Sequence, residues 1–296
     1  MRISFPAALV AFVTGASAAG TLGFAVGVKR ADGSCKVTGD YEADLDAIKS
    51  NSGSTTVRVF DASECDVVAQ ILPAAQSKAF GVVLGVWPDT DAQYNAGKAA
   101  ITNTAVNFKN QVIAVTVGSE GLYRGTYTAD FLVGKLNDLR SASPGFKYGT
   151  ADTWNRFADG TADPVLQVSD IALVNAFSYW QGASIDAAPG VFQDSIGQAF
   201  NHINSVKGGI PLWVGETGWP SRGTTYQNAV PTVQNADTYY RQAVCGSLGR
   251  GTNVFVFEAL DEPWKPQSVG QDGSSADETS WGVMTADRQP KYNLMC

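Results

Sequence analysis

Two glutamates stand where an acid has no packing reason to be. Glu120 ends the run V-T-V-G-S-E, and Glu216 follows the apolar run I-P-L-W-V-G within I-P-L-W-V-G-E-T-G-W-P. Each closes an apolar, strand-like stretch just after a glycine or a Gly-Ser pair. A carboxylate at the end of a buried strand loses hydration, which is costly unless the group is used. Taken singly, either acid also reads as a solvated strand end. The repetition of the arrangement favours a working pair. Two opposed carboxylates are the requirement for cleaving a glycosidic bond: one protonates the leaving oxygen, the other attacks or activates water. Their acidities must then be pushed apart, so that one is an acid and one a base near neutral pH.

Such a pair works only on a scaffold that holds it still. Apolar, β-rich runs fall at Thr21–Gly27, Thr55–Asp61, Gly81–Pro88 and Val112–Glu120. Four more follow at Lys147–Trp154, Ile171–Trp180, Ile210–Pro220 and Asn253–Lys265. Most are continuous, as in parallel sheets buried on both faces. Helical spacing recurs between them, in Tyr41/Leu45/Ile48, Leu132/Leu136/Leu139 and Phe192/Ile196/Ala199/Ile203. Val233/Ala236/Tyr240/Val244 and Tyr94/Ile101/Ala105/Phe108 outline two more helices. Pro73 predicts a kink or break in the second helical stretch. The stretch from Ser268 to Ser280 reads as one long surface loop. Eight strands alternating with helices predict an α/β fold, a single (β/α)8 TIM barrel over residues 19–296 with its last helix short or absent. A doubly wound sheet would usually carry a Gly-rich phosphate turn, and neither G-x-G-x-x-G nor a P-loop occurs. In a barrel, function gathers at the carboxyl ends of the strands, and there Glu120 and Glu216 face each other.

Composition narrows the partners. The chain has 296 residues and a formal net charge of −7, without Lys/Arg clusters. That argues against nucleic acid and anionic membrane surfaces and fits a neutral ligand. Residues 1–18 read as a secretory signal peptide: Arg2, the short apolar run Ala7–Val13, then the small residues Ala16, Ser17 and Ala18. An exported protein without a transmembrane segment is expected. Four cysteines then imply two disulfides, with three possible connectivities. Cys35–Cys65 and Cys245–Cys296 are favoured, because each joins neighbouring or terminal segments. No C-x-x-C occurs and His202 is the only histidine, so neither a metal nor another cofactor is expected.

The remaining strand ends are aromatic and polar. Trp87, Trp154, Trp180, Trp219 and Trp264 close the third, fifth, sixth, seventh and eighth strands, with Trp219 expected to be exposed. Sugar rings present flat C–H faces that pack on indole, while their hydroxyls need polar partners at the edges. Asp61, Asn175, Tyr179, Glu262 and Lys265 lie at strand ends in position to supply them.

W-V-G-E-T-G-W-P, V-T-V-G-S-E and F-E-A-L-D-E-P-W-K resemble the fungal branch of glycoside hydrolase family 17, the secreted cell-wall β-1,3-glucanases and β-1,3-glucanosyltransferases. The resemblance covers nearly the whole chain after residue 18. It implies a retaining mechanism with Glu120 as acid/base and Glu216 as nucleophile, acting on β-1,3-glucan at the cell wall. It also implies Tyr179 near the nucleophile, and Glu262 and Lys265 tuning the site's charge. Two positions depart from the plant members: Ser119 replaces an asparagine and Val26 a tyrosine. A wall-bound glucan-binding protein of minor activity is the alternative, since the aromatic mouth alone would support it. Two opposed carboxylates favour the enzyme. A Schiff-base or metal-dependent barrel enzyme ranks last, because Lys147 begins its strand, at the wrong face, and metal ligands are lacking.

Overall fold

In a computed structural model describing residues 19–265, 268–269 and 275–296, eight parallel strands close into a barrel in sequence order. They are β1 (Leu22–Ala25), β2 (Thr56–Val59), β3 (Gly81–Val86), β4 (Val112–Ser119), β5 (Tyr148–Thr153), β6 (Ile171–Asn175), β7 (Leu212–Thr217) and β8 (Asn253–Val256). β1 pairs with both β2 and β8, which completes the ring. The proposed signal peptide lies outside the described residues.

The continuous apolar runs have two destinations. Val82, Leu84 and Val86 of β3 join the large cluster shared with the helices, while Val83 between them joins a second cluster with Ala114, Leu173, Trp213 and Phe255. The second cluster fills the barrel, because successive strand residues point to opposite faces. Trp213 stacks on Phe255 with ring centres 4.8 Å apart, and Gly23 makes room: a Cβ there would meet the Phe255 ring at 2.5 Å.

The outer layer follows the predicted helical faces. It comprises α1 (Thr38–Ser52), α2 (Val67–Lys78), α3 (Asp91–Asn103), the single turn α4 (Gly121–Arg124), α5 (Ala129–Ala142), and the short α6 (Trp154–Ala158) and α7 (Asp163–Val168). After β6 come α8 (Ala188–Val206), α9 (Val233–Tyr239), a π-turn over Tyr240–Cys245 and α10 (Gly246–Gly249). Thr90, Thr128 and Thr232 cap α3, α5 and α9, each accepting a backbone N–H from the first turn. After β8 only one 3₁₀ turn, Glu278–Ser280, is helical among the described residues.

Four expectations need correction. Pro73 does not break its helix: α2 runs through it. The lost backbone bond is outweighed by a face that buries Val67, Val68, Ile71, Leu72, Ala74 and Ala75. β6 stops at Asn175 instead of Trp180, and Ala176–Trp180 turn across the mouth. β8 stops at Val256, because beyond Phe257 the backbone bonds go elsewhere. Glu258 N–H donates to the Trp281 carbonyl, and Val283 N–H to the Glu258 carbonyl. The 268–280 stretch is not plain loop, since β9 (Ser268–Val269) and β10 (Ser275–Ala276) pair antiparallel within it.

Two disulfides staple the periphery. Cys35–Cys65 ties the segment before α1 to the turn before α2, with Cα atoms 5.4 Å apart. Cys245–Cys296 anchors the C-terminal tail, helped by the Tyr240 hydroxyl donating to the Leu294 carbonyl. Closing such a long loop restricts the unfolded chain, so the Cys245→Ser, Cys296→Ser double variant is expected to lose about 2–4 kcal/mol of stability. Denaturant unfolding checks this, and an unchanged midpoint would mean that the tail's other contacts suffice.

Candidate active site

The ends of β4, β6 and β7 converge on one point. Asn175, the last residue of β6, donates from Nδ2 to Glu120 Oε1 (3.0 Å) and to Glu216 Oε1 (2.9 Å). A carboxylate only accepts, so the amide must turn its nitrogen toward both acids. Two such contacts on one nitrogen hold the oxygens within about 6 Å of each other.

Local irregularity aims these side chains. β4 loses register against β5 between Thr116 and Ser119, where Gly118 takes φ 82° and Glu120 φ 56°. The left-handed turn swings Glu120 off the strand line, and glycine adopts it without the Cβ penalty. Similar shifts fall between Val174 and Asn175 in the β6–β7 pair and between Val214 and Thr217 in the β7–β8 pair. Gly215 is demanded by space. A Cβ there would lie 2.6 Å from Asn175 Oδ1 and 3.2 Å from Arg58 Nη1, so both groups reach Glu216 only because residue 215 lacks one.

Arg58 is the member that sequence reasoning missed. It stands in the middle of β2, is 1% exposed, and donates from Nη1 to Glu216 Oε1 (3.0 Å) and to the Gly215 carbonyl (2.8 Å). Its guanidinium lies 4.9 Å from the Phe60 ring centre. An arginine inside T-V-R-V-F was the available signal, because a charge on a strand buried on both faces must be paired. Asp152 on β5 carries the same signal. It is fully buried and accepts three backbone N–H groups, from Leu122, Tyr123 and Thr153, which fixes the turn following Glu120.

Electrostatics follow from this burial. Desolvation pushes the Glu216 carboxyl up to about 7; the Arg58 guanidinium opposes the rise and the Glu120 charge adds to it. Both donors on Glu216 Oε1 favour its carboxylate, whereas Glu120 meets a cation only at 3.7 Å, from Arg124 Nη1. Beside them Lys265 Nζ contacts Glu258 Oε1 and Oε2 (2.9 and 2.8 Å) and Glu262 Oε2 (2.7 Å). Burial pulls the Lys265 ammonium down, but the two carboxylates overcome it and hold it above its ordinary value. Burial and the Glu262 charge raise Glu258 well above the usual carboxylate range. Glu258 is the third charged residue that the sequence reading did not single out.

Other predicted contacts are placed differently. Trp219 is not exposed: it is 3% accessible, its indole N–H donates to the Val230 carbonyl, and its ring packs on Tyr179 and Tyr239. Tyr179 is buried too, and its hydroxyl donates to the Thr224 carbonyl, not to Glu216. Both residues brace the mouth without presenting a free face. Asp61 spends its oxygens on Ser63 and Gln93, pinning the turn after β2 to α3. Trp154 is half-buried as the first residue of α6. Trp180, half-buried, stacks on Trp281 at 5.7 Å. Trp87 lies under the Arg124 guanidinium, and Trp264 under Lys29 Nζ. Ser119 is buried, and its carbonyl accepts from Arg124.

Asp152 carries a pH signature. Burial lifts its carboxyl from 3.8 to about 6 against three backbone N–H donors. A raised acid stabilises the fold while protonated, so the contribution is complete below about pH 4 and disappears as pH rises through about 6. Roughly 2 units correspond to about 3 kcal/mol. Denaturant midpoints between pH 3.5 and 7.5 are expected to fall less steeply over that window in Asp152→Asn than in the parent. Equal slopes would show that Asp152 is not the group responsible.

Comparison with known proteins places the chain in a family. The family profile described as "BtgE/BtgC glycoside hydrolase domain" matches residues 23–282. A glucan 1,3-beta-glucosidase of Arthroderma benhamiae is 45% identical over 100% of this chain and 98% of its own length. The Saccharomyces cerevisiae protein of the same name is 43% identical over 95% and 92%. Among solved structures, the glycoside hydrolase family 17 β-1,3-glucanosyltransferase of Rhizomucor miehei is 28% identical with a TM-score of 0.79, covering 93% of this chain and 96% of that one. An active-site mutant of it in complex with laminaritriose superposes with a TM-score of 0.80. The chain thus belongs to the BtgE/BtgC glycoside hydrolase family, in the fungal branch of glycoside hydrolase family 17.

Proposed function

We propose that the protein is a retaining β-1,3-glucan-active glycosidase of the fungal cell wall, passing a glucosyl unit through a covalent enzyme intermediate. The observation that carries the reading is Asn175 Nδ2 holding Glu120 and Glu216 together at 3.0 and 2.9 Å. Carboxyls this close suit direct attack on the anomeric carbon, for which about 5–5.5 Å is usual. The glucan 1,3-beta-glucosidase and β-1,3-glucanosyltransferase relatives support the substrate class. The disulfides fit an oxidising, extracellular setting, and no helix of the described residues is long and apolar enough to cross a membrane.

The chemistry runs on these two side chains. Arg58 and Asn175 both occupy Glu216 Oε1, so Oε2, which no side chain bonds among the described residues, is the attacking oxygen. It forms an ester with the anomeric carbon as the glycosidic C–O bond breaks, and the Glu120 proton passes to the departing oxygen. An incoming hydroxyl then attacks the same carbon. Its proton goes to Glu120, and the ester opens to restore the Glu216 carboxylate. Water as acceptor gives hydrolysis, and a glucan hydroxyl gives transfer.

Glu216→Gln is expected to lower turnover by at least roughly 10³-fold while glucan binding persists; near-normal turnover would reject the assignment. Glu120→Gln is expected to lose roughly 10²–10⁴-fold on glucan but much less on substrates whose leaving group needs no proton. An equal loss on both would remove Glu120 from the acid role. The product profile on a reduced β-1,3-gluco-oligosaccharide separates the outcomes: products longer than the substrate mean transfer, and only shorter ones mean hydrolysis.

A further inference from the structure

Glu258 lies just beyond β8 and has no part in the bond-breaking steps above, yet it is 1% exposed. Its backbone is tied on both sides, the N–H to the Trp281 carbonyl and the carbonyl to the Val283 N–H, so the side chain leaves the wall from a fixed point. Both its carboxyl oxygens meet Lys265 Nζ, at 2.9 and 2.8 Å, and Glu262 Oε2 meets the same nitrogen at 2.7 Å. An ammonium carries three N–H groups and accepts nothing. Three oxygens use it up. Among the described residues, no ammonium N–H of Lys265 is left for a sugar hydroxyl or for Glu216.

The surroundings give this grip a consequence. Glu216 faces Arg58 from β2, Glu120 from the end of β4 and Lys265 from the chain after β8, and the Lys265 charge opposes the rise that burial imposes on it. Around Glu258 stand Glu262, Lys265 and, from the C-terminal tail, Lys291. Arg58 and Asn175 occupy Glu216 Oε1, whereas no side chain among the described residues bonds Oε2. Lysine is a compact charge on a flexible four-carbon stem. Held by Glu262 alone, it would have two N–H groups seeking an acceptor, and a poorly hydrated carboxylate is the strongest kind. The Phe257 ring, 4.6 Å from Nζ, offers nothing comparable. An ammonium on Oε2 would favour the Glu216 anion but engage the lone pair that must reach the anomeric carbon. A buried ion pair adds little to stability, so its place in this wall calls for another reason.

We propose that Glu258 is a positioning residue, whose two oxygens keep the Lys265 ammonium off the attacking oxygen of Glu216. The inference rests on the glucan-active reading and adds to it a residue that acts through Lys265, not on the sugar.

Glu258→Met removes both acceptors and keeps the length of the side chain. The measurement is kcat and KM on a β-1,3-gluco-oligosaccharide across the acid limb of the pH profile. It is made for the parent, Glu258→Met and the double variant Glu258→Met, Lys265→Met, with thermal unfolding confirming that each is folded. Glu258→Met is expected to lose roughly tenfold or more in kcat with KM little changed, and its acid limb to move about one unit to lower pH, the effect of a cation reaching a carboxylate. Removing Lys265 as well is expected to recover most of kcat and to move the limb back up. A packing defect would not be relieved by a second substitution. A double variant no more active than Glu258→Met, or an acid limb that Glu258→Met leaves in place or raises, would overturn the assignment. Should Glu258→Met fail to fold, Glu258→Gln keeps one acceptor and gives the same comparison with smaller shifts. The Glu216 titration, followed without substrate by carbon-13 NMR of glutamate-labelled protein with Glu216→Gln identifying the signal, separates this inference from the functional reading. If the parent turns over no glucan, the functional reading fails. A Glu216 midpoint lowered in Glu258→Met and raised again by Lys265→Met would still support the grip on Lys265, and an unmoved midpoint would end it.

Discussion

The structure depends on bringing two carboxylates onto one amide nitrogen inside a poorly hydrated pocket. Left to themselves, like charges at that separation would protonate or push the strands apart. Arg58 and Asn175 prevent this by different means. Arg58 hydrogen-bonds one acid only, whereas Asn175 supplies its nitrogen to both. The arginine offsets part of the rise that burial imposes on Glu216. The backbone irregularities serve the same constraint: Gly118 turns Glu120 inward, and Gly215 leaves room for both partners of Glu216.

Below the site, the barrel supplies rigidity. Trp213 and Phe255 fill the interior under Arg58, so the guanidinium has no apolar space to fold back into and is held toward the mouth. Around the rim, Tyr179, Trp180, Trp219 and Trp281 pack edge to face and in parallel. Most of this aromatic surface is spent on itself. Trp219 and Tyr179 act on the substrate only through the walls they support, while Trp87, Trp154 and Trp180 keep part of their surface open.

The barrel and its two acids were legible in the sequence because each left a local mark. Continuous apolar runs of strand length, helical spacing between them and the G-E and G-S-E endings all act within a dozen residues. What was hidden depends on partners far apart in the chain. Arg58 meets Glu216 across 158 positions, and nothing near T-V-R-V-F says which carboxylate it serves. Trp219 looked exposed because it follows a strand end, yet α9 and the aromatic cluster cover it. β8 looked long because Phe257–Lys265 really is apolar and extended at its start. Phe257 and Ala259 N–H still donate to the Thr217 and Ala25 carbonyls, but the bonds of Glu258 and Asp261 go to the 281–284 segment, a pairing that sequence periodicity does not contain.

Charge at the mouth is arranged so that the sugar's developing charge meets no net repulsion. Arg58 is matched by the Glu216 carboxylate and Lys265 by that of Glu262, while burial and the Glu262 charge hold Glu258 well above the usual carboxylate range. In the proposed mechanism the anomeric carbon becomes positive as the glycosidic bond breaks, and Glu120 gives up its proton. The site then holds one more negative charge than before, next to a sugar one unit more positive. A preformed field of this kind stabilises the separated charges without reorienting water. In the proposed ester the Glu216 charge is spent and Glu120 is the carboxylate, so the choice between water and a glucan hydroxyl falls to the shape of the acceptor side. The half-buried Trp87 has Arg124 lying over it, and Arg124 Nη1 reaches within 3.7 Å of Glu120.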